Sequence, residues 1–202
     1  MEFPRLHLVT GDRPVETVRA AVRLAPAGQL AVQVRVEDHV TDREAFALTL
    51  AVLEVCRAYG VLCLVNDRLD IALAAAADGA HVGADDLPVA AARTVLGPAA
   101  VLGATCRTAT DGQAAVAAGA TYLGVGPAFA TSTKGGLPDP IGPDGIEAVA
   151  RAVPGTPVIA IGGVTPQRVL PLRKAGAHGV AVVGALARDP ERATNEFFAA
   201  LG

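Results

Sequence analysis

The sequence has no tryptophan, one methionine, and only two tyrosines and five phenylalanines in 202 residues. A core must therefore be built mainly from Ala, Val, Leu and Ile, and at 51% hydrophobic the chain has ample material for one. Cysteine is scarce too. Cys56, Cys63 and Cys106 are odd in number, widely spaced and contain no C-x-x-C pair, which argues against a disulfide framework and for free thiols in a reducing compartment. Apolar runs reach only about a third of the roughly 20 residues a membrane helix needs. The opening "MEFPRLHLVTGD" lacks the layout of a secretory signal, so a cytoplasmic protein with no membrane partner is expected. Lys and Arg total 17 against 20 Asp and Glu, a net charge of −3 with no basic stripe and no like-charge block. A nucleic-acid partner and a disordered charged tail are both disfavoured.

What the chain does contain is a repeated unit. Eight short apolar runs alternate with longer helical patterns: "RLHLVT" (5–10), "LAVQVR" (30–35), "VLCLVN" (61–66), "GAHVG" (79–83), "AVLGAT" (100–105), "TYLGVG" (121–126), "PVIAIGG" (157–163) and "HGVAVVG" (178–184). They are nearly continuously apolar, as parallel strands covered on both faces should be. Between them lie Ala-rich segments with helical spacing, such as 43–60 and 110–120, several ending at Gly. Thr41 or Asp42 and the "TPQR" at 165–168 mark helix starts. Eight units in about 200 residues match the lower size limit of a (β/α)8 barrel. An open doubly wound sheet would more often carry five or six strands and one early phosphate fingerprint. The expectation is one α/β domain over 1–202, a small (β/α)8 TIM barrel with its chemistry in the loops that follow the strands.

Those loops carry the polar residues. Gln33 and Arg35 end the second strand on one face, and Arg35 suits a forked phosphate contact, with a surface pair to Glu37 or Asp38 as the competing reading. Asn66 and Asp67 end the third strand and Asp85 and Asp86 follow the fourth. Asp67 and Asp86 could share Mg²⁺, while helix capping competes with that reading at both places. His81 is read as structural, and Cys106, beside Thr105 and Arg107, as buried and inert rather than an activated thiolate. After the sixth strand, Thr131, Thr133 and Lys134 bring two hydroxyls and a mobile charge suited to a phosphate or diphosphate. Gly162, Gly163, Val183 and Gly184, after the last two strands, let backbone N–H groups approach a second anion.

In this order, "NDRLDIAL", "DGAHVGADDLP", "YLGVGPAFATSTK", "VIAIGGV" and "GVAVVGAL" resemble the thiamine phosphate synthase and thiazole tautomerase superfamily, over nearly the whole chain. The synthase branch is the better match. That resemblance implies a transferase of thiamine biosynthesis: Mg²⁺-dependent coupling of an aminopyrimidinylmethyl diphosphate with a thiazole phosphate, or its carboxylated form, to give thiamine phosphate and pyrophosphate. It implies Asp67 and Asp86 as the metal ligands. Gln33, Arg35, Asn66 and Lys134 would hold the pyrimidine diphosphate, with Thr105 near the pyrimidine. Thr131 and Thr133 would lie around the thiazole, and Gly163, Val183 and Gly184 would cradle its phosphate. Arg35, Thr105 and Lys134 are the catalytic candidates, the partners are small molecules, and a homodimer is implied as well. Two positions depart from the pattern. Glu37 stands where the family has a diphosphate lysine, and Arg107 where it has a histidine. The missing histidine counts against a tautomerase, and Glu37 leaves open a non-catalytic barrel that binds thiazole phosphate.

Overall fold

The computed structural model describes residues 3–11, 13–37, 39–131, 136, 138–186 and 189–202. Eight strands appear where the apolar runs lie: β1 (Leu6–Val9), β2 (Leu30–Val34), β3 (Leu62–Asn66), β4 (Gly79–Val82), β5 (Val101–Cys106), β6 (Tyr122–Val125), β7 (Val158–Ile161) and β8 (Gly179–Val182). Each is followed by a helix: α1 (Pro14–Leu24), α2 (Asp42–Ala58), α3 (Leu69–Ala74), α4 (Val89–Leu96), α5 (Ala109–Ala117), α6 (Gly142–Ala152), α7 (Pro166–Lys174) and α8 (Pro190–Leu201). All neighbouring strands are parallel and the sheet closes on itself, with Leu8 of β1 level with Val32 on one side and Val182 on the other. The expected (β/α)8 barrel is the observed one.

Local sequence explains the helix starts. Thr41 caps α2 in a capping box, its hydroxyl accepting from the Glu44 N–H while the Glu44 carboxylate accepts from the Thr41 N–H. Thr108 and Asp111 do the same for α5. Pro14, Pro166 and Pro190 each occupy a first helical turn, where a missing N–H costs nothing.

Two apolar layers result. The larger lies between barrel and helices and joins outward residues such as Leu8, Val32 and Val65 to Val52, Val149, Leu172 and Phe197. The smaller fills the barrel itself and holds only Val9, Leu64, Tyr122, Ile159 and Ala181 as buried members. Alternate residues of each strand face this interior. His7 is one of them, 1% exposed and stacked on Tyr122 with ring centroids 5.1 Å apart.

Burial pushes the His7 imidazole down from 6.5 to about 3. The unfolded chain takes up that proton first, so His7 lowers stability as pH falls. Its contribution is intact above pH 6.5 and costs roughly 3 kcal/mol by pH 4. Thermal melts of the parent and His7→Asn between pH 7 and 4 should show a shallower acid decline in the variant. Parallel curves would remove His7 from the acid sensitivity.

Candidate active site

The strand ends open into a cavity of about 800 Å³ at the mouth of the barrel. Strand parity decides which side chains enter it. Gln33 faces inward on β2, and two residues on, Arg35 does the same from the loop that follows. Asn66 closes β3, His81 lies on β4, Thr105 on β5 and Tyr122 on β6, and all line the same space.

A hydrogen-bond chain crosses two strands. Gln33 Nε2 donates to Asn66 Oδ1 at 2.5 Å, and Asn66 Nδ2 donates to Asp67 Oδ2 at 2.5 Å. Asp67 has a positive φ of 61°, a left-handed turn directly after the strand that swings its carboxylate to the rim. Asp86 Oδ2 accepts from the Gly83 N–H at 2.7 Å. Both carboxylates lie near this glycine. A Cβ on Gly83 would stand 2.7 Å from Asp86 Oδ2 and 4.0 Å from Asp67 Oδ1.

Helix capping, the competing reading for these residues, is not what they do. The helix after β3 starts behind Arg68 and the one after β4 behind Pro88, and neither has a side-chain cap. No group of three or more His, Cys, Asp or Glu that could hold a metal occurs among the described residues. Two carboxylates at the rim form a donor set that fits Mg²⁺, which takes one or two carboxylates and completes its shell with water and substrate phosphate.

Arginines flank the carboxylates. Arg35 does pair with Glu37, Nη2 to Oε1 at 3.4 Å, and the two side chains are 23% and 63% exposed. Its backbone is pinned from β1, the Arg35 N–H donating to the Thr10 hydroxyl at 2.8 Å. Arg107 lines the cavity two residues beyond Thr105. Its Nη2 donates to the Asp139 carbonyl at 2.8 Å, while Nη1 is buried with no hydrogen-bond partner among the described residues. The guanidinium thus ties the end of β5 to the β6–α6 loop and keeps one donor edge unused. Thr131 lines the cavity at the start of that loop, whereas Thr133 and Lys134 lie outside the described residues.

Across the barrel, Gly163, Val183 and Gly184 line the cavity as well. Gly162 and Gly163 both have positive φ, 96° and 62°, and a Cβ on Gly163 would lie 2.4 Å from the Ala130 carbonyl oxygen. Only glycine fits that turn. Arg168 holds it from outside, Nη1 donating to the Gly163 carbonyl at 2.6 Å while the guanidinium stacks on Phe129. The N–H groups of Gly163 and Gly184 donate to no described backbone carbonyl.

Two residues exceed their sequence reading. His81 is buried, yet it lines the cavity and bridges Tyr122 and Thr105, Nδ1 to the phenol at 3.0 Å and Nε2 to the threonine hydroxyl at 2.9 Å. Burial pushes its imidazole down to about 4, against a smaller opposing pull from Asp86, so the ring is neutral at neutral pH. Tyr122 did not stand out in the sequence at all. Counting by twos from Thr105 and across the pairs Gly103–Tyr122 and His81–Gly103 would have found both. Cys106 is buried, and burial pushes its thiol up to about 12, which leaves no thiolate to act as a nucleophile.

The comparisons with known proteins concern the family and the fold. The family model described as thiamine monophosphate synthase matches residues 6–186. A thiamine-phosphate synthase of Salinispora arenicola is 60% identical over 203 residues, covering 98% of this chain and 97% of its own. One from Moorella thermoacetica is 44% identical, covering 87% and 82%. The solved structure of a thiamine phosphate pyrophosphorylase from Pyrococcus furiosus superposes with a TM-score of 0.87 at 31% identity, covering 98% and 95%. Matched along almost its whole length in sequence and fold, the chain belongs to the thiamine monophosphate synthase family.

Proposed function

We propose that this chain joins an aminopyrimidinylmethyl diphosphate to a thiazole phosphate, releasing pyrophosphate and forming thiamine phosphate in the cytoplasm. In the step, the bond from the methylene carbon to the diphosphate oxygen breaks and its electron pair leaves with pyrophosphate. The lone pair of the thiazole nitrogen then forms the new carbon–nitrogen bond, giving a thiazolium cation. The observation that carries the reading is the placement of Asp67 and Asp86 near Gly83, joined through Asn66 to Gln33, at one end of a single cavity.

Each part of the cavity has a task in that step. Asp67 and Asp86 would hold Mg²⁺, which when bound neutralises charge on a departing pyrophosphate. Arg35 and Arg107 point cationic donors into the same space, and Lys134 would add a third from the loop. Asn66, fixed by its two hydrogen bonds, orients Gln33 so that the Gln33 carbonyl oxygen remains available to an amino substituent on the pyrimidine. The opposite rim, with Gly163 and Gly184, would take the thiazole phosphate on backbone N–H groups and turn its ring nitrogen toward the reacting carbon. An electron-rich aminopyrimidine can carry a methylene cation briefly, so no protein nucleophile is needed.

Thiamine phosphate made from the two substrates and Mg²⁺, oxidised to fluorescent thiochrome, tests the reading directly. Product that disappears with EDTA is expected, and Asp67→Asn should lower turnover by about a hundredfold or more. Full turnover in EDTA would overturn the metal assignment, and no product at all would overturn the synthase reading.

The charge at position 37 gives a separate prediction. Glu37 competes for Arg35 and is largely exposed, so its effect is small and screened by salt. Glu37→Lys should lower KM for the diphosphate substrate by about three- to tenfold at low ionic strength and by less at 0.5 M salt, a range set by the strength of exposed ion pairs. Arg107→Ala should raise the same KM about tenfold, the size expected for one lost charge-assisted hydrogen bond. An unchanged KM in either variant would take that residue out of diphosphate binding.

A further inference from the structure

His81 and Tyr122 are buried in the wall of the cavity, and their hydrogen bonds fix more than a position. His81 Nδ1 is 3.0 Å from the Tyr122 phenol and Nε2 is 2.9 Å from the Thr105 hydroxyl. A neutral imidazole has one N–H and one bare nitrogen, so the three groups can be threaded by protons in only two directions. Tyr122 decides between them. It is 1% exposed, and His81 is its one hydrogen-bond partner among the described residues. If Nδ1 carried the proton, the phenol would accept, and its own hydrogen would be buried without an acceptor among the described residues. A buried donor left unmade is the costly arrangement. The phenol therefore donates to Nδ1, the proton stays on Nε2, and Nε2–H donates to Thr105.

Two glycines hold the relay in place. A Cβ on Gly103 would stand 2.3 Å from His81 Nδ1 and 2.4 Å from the Tyr122 hydroxyl. One on Gly124 would stand 2.9 Å from the His81 Cε1. The imidazole thus occupies the space that side chains on β5 and β6 would otherwise fill.

We propose that the Tyr122–His81 pair is a positioning relay that leaves the hydrogen of the Thr105 hydroxyl free to donate into the cavity, favouring a ring that presents a bare nitrogen there. Thr105 has already accepted from His81, so its hydrogen is left for the ligand. The selection of a pyrimidine rests on the synthase reading above, while the proton direction does not. With the proton on Nδ1 instead, the hydroxyl would donate to the bare Nε2 and could only accept from a ligand.

The tautomer is read first, on the unmodified chain without substrate. Uniformly ¹⁵N,¹³C-labelled protein, with His81 assigned through its backbone, gives the proton location from long-range ¹H–¹⁵N correlations of the ring. The expected pattern is a protonated Nε2 and a bare Nδ1 at neutral pH; a protonated Nδ1 overturns the proposal. Tyr122→Phe should produce a mixture of tautomers and lower kcat/KM for the pyrimidine diphosphate by about tenfold, with KM for thiazole phosphate unchanged. Thr105→Ser, which keeps the hydroxyl, should stay within a few-fold of the parent, and Thr105→Val should not. Parent-like kinetics in Tyr122→Phe would overturn the positioning role even with the expected tautomer. A chain that makes no thiamine phosphate yet shows a protonated Nε2 would instead fail the synthase reading alone.

Discussion

Closure of the eight-stranded parallel sheet is the constraint on which the rest depends. It forces alternate residues of every strand into an interior barely wide enough for side chains. Below the mouth that space is filled by Val9, Leu64, Tyr122, Ile159 and Ala181. At the mouth it is kept open by glycine. Gly83, Gly103, Gly124 and Gly163 all take positions where even a methyl group would meet a neighbour within 3 Å. What they make room for differs by location. Gly83 receives a carboxylate, Gly103 and Gly124 receive the His81 ring, and Gly163 lets the β6–α6 loop pass against the turn after β7. Cavity and functional groups thus have one origin, side chains omitted from one strand so that those of another can reach the centre.

The same closure sorts charge. Strands β2 to β4 bring Gln33, Asn66, Asp67 and Asp86 to one arc, and β7 and β8 bring backbone amides to the opposite arc. Arg35 and Arg107 stand beside the carboxylates but are held with different strength. The Arg35–Glu37 pair, with its outer member 63% exposed, lies mostly in water and is worth little. An arriving anion can take the Arg35 guanidinium away from it at small cost. Arg107 is tied through one nitrogen to a backbone carbonyl of the β6–α6 loop, so its free edge has a fixed direction. In the proposed reading, the negative charge of Glu37 is set against a second, better anchored guanidinium just past β5.

The fold was legible because the apolar runs were short, continuous and evenly spaced, and the eight strands fall within one or two residues of them. Pro166 and Thr41 marked their helix starts correctly for the same local reasons that operate in the fold. Much of the site was legible too, since polar residues just past a buried strand stand out against their neighbours. Gln33, Asn66, Asp67, Asp86 and Thr105 all line the one cavity. His81 and Tyr122 were not legible, because they sit inside apolar runs. "GAHVG" and "TYLGVG" read as core, and core they are by burial. Their part in the site follows from cross-strand neighbours at Gly103, which no single run displays. The Arg107–Asp139 contact spans 32 residues and was hidden in the same way.

What the cavity lacks among its described residues narrows the chemistry as firmly as what it holds. Cys106 is desolvated and its thiol is pushed up to about 12, so it offers no nucleophile. His81 is neutral, buried and committed through both nitrogens to Tyr122 and Thr105, so it has no free lone pair with which to take a proton from a ligand. Neither Cys106 nor His81 is therefore placed to act as a nucleophile or to abstract a proton. Cationic donors, two carboxylates and oriented amides remain, and they act by stabilising charge and fixing direction. A reaction in which a diphosphate departs and a ring nitrogen takes its place asks for nothing else. In the proposed reading, the barrel holds two anions apart and lets the bond form between them.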